Sequence, residues 1–113
     1  MGESRFILRE KCKDAMKYTY NAIEDMPKNH RFTLGHDIRM SMLTLYRLIL
    51  RAGKKYYKKT TLQEMDIEHD TLKGLIHVAM ELKAINLKEY EIISEYLVEI
   101  GKIIGGWLKK ADR

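Results

Sequence analysis

Residues 31 to 60 hold eight basic side chains, Arg31, Arg39, Arg47, Arg51, Lys54, Lys55, Lys58 and Lys59, against one acid, Asp37, a formal charge of +7. The whole chain of 113 residues carries only +5, so the positive charge is gathered into about a quarter of it. Such a cluster attracts polyanions, of which nucleic acid is the commonest inside a cell; a solvated lysine and arginine face with no partner accounts for the charge equally well. The run Gly53-Lys54-Lys55-Tyr56-Tyr57-Lys58-Lys59 sets two tyrosines among four lysines. Aromatic rings between cations can stack on bases or ribose while the ammonium groups hold phosphate. Tyr56 and Tyr57 plugging one end of the fold is the alternative reading of that run.

Other chemistry has little support. No phosphate-binding glycine loop, dinucleotide fingerprint, His-Glu-x-x-His or Cys-x-x-Cys occurs. His69 and His77 are eight residues apart on one predicted helix, which sets them on similar faces. Without a Glu-x-x-His motif and inward carboxylates, they read as partly exposed polar side chains and not as metal ligands. The acids Glu64, Asp66, Glu68, Asp70 and Glu81 read as a solvated helix face, whereas a catalytic pair must converge in a pocket. The expectation is a protein that is not an enzyme, with no cofactor and no metal. A lone cysteine, Cys12, has no internal disulfide partner, fits a reducing compartment and reads as a small buried side chain. The seven methionines read as core filler ahead of an adaptable binding surface.

The elements that must position the basic cluster are helices. One proline and 33% charged residues suit a soluble, helix-rich fold, and 113 residues suit one domain over 1–113. Apolar periodicity predicts helices over about 4–25, 33–54, 61–85 and 88–109, joined by short connections. Pro27 ends the first. Thr33 is the expected N-cap of the second, whose core stripe is Ile38, Met42, Leu45, Ile49 and Ala52. Arg39, Arg47, Arg51, Lys54 and, if that helix continues, Lys55 and Lys58 project to a different side. Leu43, Tyr46 and Leu50 form a second apolar flank, read as lying across the basic face from the core and as a candidate contact with another subunit, although a broad core face explains it almost as well. Thr61-Leu62-Gln63-Glu64 reads as a capping box opening the third helix, with Leu62, Met65, Leu72, Leu75, Ile76, Ala79, Leu82 and Ile85 as its core stripe. Asn86 either closes that helix or caps the fourth, with Glu89 at the third position. Gly101, Gly105 and Gly106 each cost about 1 kcal/mol relative to alanine inside a helix, which calls for close approach of a neighbouring helix beside Trp107. The pattern is an all-α, antiparallel, up-down four-helix bundle. No apolar run reaches the roughly 18 to 20 residues of a membrane span, and Arg5, Arg9, Glu10 and Lys11 interrupt any early signal sequence, so a cytoplasmic location is expected.

Two segments resemble a known family. Arg31-Phe32-Thr33-Leu34-Gly35-His36-Asp37-Ile38-Arg39 and Glu99-Ile100-Gly101-Lys102-Ile103-Ile104-Gly105-Gly106-Trp107-Leu108-Lys109 are similar to the accessory variability determinant (Avd) proteins of diversity-generating retroelements. The resemblance extends to length and helix order. Related four-helix proteins encoded in 23S ribosomal RNA intervening sequences carry a small-residue motif where this chain has Met42-Leu43-Thr44-Leu45-Tyr46-Arg47-Leu48-Ile49-Leu50, which favours the retroelement branch. The resemblance implies a homopentameric barrel of four-helix protomers and a non-catalytic partner of a reverse transcriptase. Such a protein binds template RNA and cDNA through a basic surface, here Arg39, Arg47, Arg51, Lys54, Lys55, Lys58 and Lys59, in support of mutagenic retrohoming. The alternatives are a structural four-helix protein scaffold and a general nucleic-acid-binding protein of the intervening-sequence type.

Overall fold

Four apolar stripes of helical period can be buried together only if their helices pack side by side, and they do. The computed structural model describes residues 2–54 and 59–111. Four long helices, α1 (Gly2–Glu24), α3 (Leu34–Ala52), α4 (Lys59–Glu81) and α5 (Leu87–Ala111), are joined by one single-turn helix, α2 (Lys28–Arg31). No strand occurs among the described residues. Each long helix packs on two others, in the cyclic order α1, α3, α4, α5. Bonds between chain-distant residues fix the directions: Trp107 reaches back to Ser4, Lys11 to Glu99, Arg39 to Glu24 and His77 to Tyr90, so neighbours run antiparallel. The core is filled by Leu8, Ile23, Ile38, Met42, Leu45, Ile49, Leu62, Met65, Leu72, Ile76, Ile93 and Ile104, among others. Full burial of such side chains contributes about 1.5–3 kcal/mol each.

The helix ends differ from the sequence expectations for local reasons. Pro27 stops α1 but also supplies the N-cap of α2, a turn too short to carry a periodic signal. Thr33 sits at the N-cap of α3, yet its hydroxyl donates backward to the carbonyls of Asn29 (3.1 Å) and His30 (3.4 Å), capping the end of α2 instead. Thr61 opens no helix. It is buried within α4, which already runs at Lys59, so the expected capping box is absent. The box stands instead at Asn86 and Glu89, where the Glu89 N–H donates to Asn86 Oδ1 (2.7 Å) and the Asn86 N–H to Glu89 Oε1 (2.9 Å). Helix α4 ends at Glu81, short of the expected residue 85, because Lys83 takes a left-handed φ of 59°. The Ala84 N–H then donates to the Ala79 carbonyl (2.8 Å) and the Lys83 N–H to that of Met80 (3.0 Å), a Schellman closure with lysine where glycine is usual.

The glycines of α5 divide. A Cβ on Gly101 would lie 2.7 Å from Cε1 of His69, so this glycine makes room for an imidazole. His69 is not partly exposed as expected but buried, and its Nε2–H donates to the Leu97 carbonyl at 2.6 Å. A Cβ on Gly105 or Gly106 would meet nothing within 4 Å, so the close approach expected there is not made among the described residues. Trp107 is buried, with its Nε1–H on Ser4 Oγ at 3.1 Å. No helix of the described residues is long and apolar enough to cross a membrane.

Candidate nucleic-acid interface

Helix α3 presents its outer face in a fixed order. At 100° per residue, Arg39, Leu50, Leu43, Arg47, Met40, Arg51 and Thr44 follow one another around it, and Lys54 lies in the turn just past its end. Arg39 marks the α1 edge, paired with Glu24 and lying 5.3 Å from the Tyr20 ring centroid. The α4 edge is marked by Ser41, whose hydroxyl donates to Glu68 at 2.7 Å. Between these edges Arg47, Arg51 and Lys54 are exposed, and none has a carboxylate within ion-pair distance among the described residues. Three neighbouring cations without an internal partner can give their full charge to an external anion.

Beside this face, α1 and α3 enclose an open groove of about 410 Å³ lined by Lys13, Met16, Lys17, Tyr20 and Tyr46. Lys13 pairs with Glu10 at 2.9 Å, and that bond holds the Glu10 carboxyl below its ordinary value. Burial pushes the Tyr20 phenol above its usual range. Its hydroxyl is buried without a hydrogen-bond partner among the described residues. Cys12, also buried, has its thiol pushed up to about 12 by desolvation, which leaves it protonated and unreactive as a nucleophile at neutral pH. Among the described residues no three His, Cys, Asp or Glu side chains stand together as a metal site.

A family model described as bAvd-like matches residues 6–111. The chain belongs to the bAvd-like family. These are Avd-type proteins, the accessory and non-catalytic type of diversity-generating retroelements. A comparison with curated proteins returns no match. Both segments that carry the resemblance lie inside the matched range. The first spans the α2–α3 corner, where a Cβ on Gly35 would come 2.8 Å from Ile23 Cγ2, so glycine there lets α3 close onto the end of α1.

For this bAvd-like chain the sequence-selected residues fall in three groups. Arg47 and Arg51 share the outer face of α3, Lys54 is exposed in the turn past its end, and Lys59 is exposed at the start of α4. Arg39 lies aside at the α1 edge, paired with Glu24 and over the Tyr20 ring. Lys55 and Lys58, with Tyr56 and Tyr57, lie outside the described residues. The flank of Leu43, Tyr46 and Leu50 is not across the basic face from the core. Tyr46 packs against the core at the α1 groove, while Leu43 and Leu50 stand between it and the cations, because only 20° to 40° of rotation separates them from Arg39. Two features escaped sequence reading. Lys13 and Lys17 extend the basic surface onto α1; their signal was the four-residue spacing of Arg9, Lys13 and Lys17. On α4 the outer face is not simply acidic. Ile67, Val78 and Leu82 form a second, outward apolar stripe, 66%, 43% and 53% exposed. Leu82, expected in the core stripe, belongs to it instead, whereas Leu75 packs against the core as expected.

Proposed function

We propose that the protein is an accessory subunit of a diversity-generating retroelement that binds template RNA or cDNA through the outer face of α3 and engages the element's reverse transcriptase as a homopentamer. The observation that carries the nucleic-acid part is the set of exposed, internally unpartnered cations Arg47, Arg51 and Lys54. Arginine and lysine contacts to phosphate release counterions, which gives affinity that falls steeply with salt and depends little on sequence. The family supports the role beside a reverse transcriptase, because its members are retroelement accessory proteins. Charge reversal tests the reading. The triple variant Arg47→Glu, Arg51→Glu, Lys54→Glu is expected to weaken RNA binding by at least about tenfold at ~0.1 M salt while the fold, judged by circular dichroism, is kept. Unchanged affinity in that variant contradicts the assignment.

The outward stripe of α4 supports self-association. An apolar line of Ile67, Val78 and Leu82 is costly to leave in water, and Gly74 beside it offers no side chain to hold a neighbour away. Exposed acids flank the stripe on both sides, Asp66, Asp70 and Glu81 toward α5 and Glu64 toward α3. The same stripe favours a second reading, a protein scaffold that docks other chains there without touching nucleic acid; RNA binding by the wild-type protein decides against it.

A further inference from the structure

We propose that the groove between α1 and α3 receives an unpaired nucleobase, so that the protein grips single strands by a base as well as by phosphate. This rests on the nucleic-acid reading above and adds a specificity to it. The walls are two aromatic rings, Tyr20 and Tyr46, with the flexible, polarisable Met16 between them. Every base has a π-face, and a ring or thioether wall accepts that face whatever the sequence. The rim is cationic. Lys13 and Lys17 stand on the α1 side, Arg39 lies over the Tyr20 ring, and the exposed Arg47 follows Tyr46 on α3. Glu10 and Glu24 neutralise Lys13 and Arg39, which leaves Lys17 and Arg47 to hold the phosphates on either side of an inserted base.

Charge complementarity is what commits the groove to this occupant. Lys17 and Arg47 have no carboxylate within ion-pair distance among the described residues, and a polyanion supplies a phosphate for each. In a duplex the bases are stacked and paired, and extracting one costs both interactions. A single strand offers them freely, so the groove makes the protein favour single strands over the same sequence as a duplex.

Fluorescence anisotropy of the full-length protein with a short unstructured RNA, and with that RNA annealed to its complement, tests the proposal. Tyr46→Leu keeps apolar packing against the core and removes the aromatic wall. It is expected to weaken single-strand binding by about five- to twentyfold and to leave duplex binding unchanged, while Tyr46→Phe behaves as wild type. Equal loss on both substrates, or no loss on either, overturns the groove while leaving salt-sensitive binding through α3 standing. A fall in oligomer mass for Tyr46→Leu assigns the groove to a second copy and overturns the proposal as well. If the wild-type protein binds neither substrate, the parent reading fails together with this one.

Discussion

His69 and Gly101 illustrate how one side chain sets the identity of another. The imidazole reaches the Leu97 carbonyl across the α4–α5 contact only because the residue one turn beyond Leu97 has no Cβ. Gly101→Ala gains up to about 1 kcal/mol of helix propensity but drives a methyl into the ring, and overpacking with loss of a buried hydrogen bond costs more. The expected net effect is destabilisation by about 1–3 kcal/mol in urea unfolding. The double variant His69→Ala, Gly101→Ala should be less destabilised than the two single changes added together, since removing the ring removes the clash. Strict additivity would mean the two side chains do not compete for that space. The sequence held the glycine's cost but not its beneficiary, because His69 carries no mark that separates a buried imidazole from an exposed one.

At the scale of elements, the close of α4 is where, among the described residues, a non-glycine residue takes a positive φ. Lys83 adopts a left-handed backbone that costs an L-residue about 1–2 kcal/mol and glycine little. Lys83→Gly should therefore raise stability by about 0.5–1 kcal/mol, read as a higher melting temperature with unchanged helix content, and no gain would mean that the turn is unstrained. The four long helices were legible because their apolar residues recur every three to four positions over many turns. What was not legible depends on tertiary context. Thr61 and Glu64 match a capping box by spacing, but the Thr61 side chain is buried within a running helix. The genuine box at Asn86 and Glu89 was readable because no apolar stripe crosses it. On α4 two apolar stripes share one helix, and sequence periodicity assigned Leu82 to the core because a pattern gives a face without saying what that face meets. Part of the basic face on α3 was readable in the same way. The pairing of Arg39 at the α1 edge was not, since Glu24 and Tyr20 come from another helix.

On the molecule as a whole, exposed cations gather along α3 and the adjoining edge of α1, exposed acids along α4, and α4 also carries an outward apolar stripe. If that stripe joins protomers, a charge on it should separate them. The variant Ile67→Asp, Val78→Asp is expected to lower the light-scattering mass from five copies of the 13.4 kDa chain to that of one, with RNA affinity falling as the repeated surface is lost. A wild-type monomer contradicts the pentamer, and an unchanged mass in the variant moves the contact elsewhere. Nucleic-acid binding by the outer face of α3 is the central claim, and the salt dependence of RNA affinity tests it most directly. Each phosphate contact to a single strand contributes about 0.7 to the slope of log affinity against log salt, so the variant Arg47→Ala, Arg51→Ala, Lys54→Ala should bind with a slope shallower by about 2 than wild type. Parallel slopes for the two proteins would contradict the account.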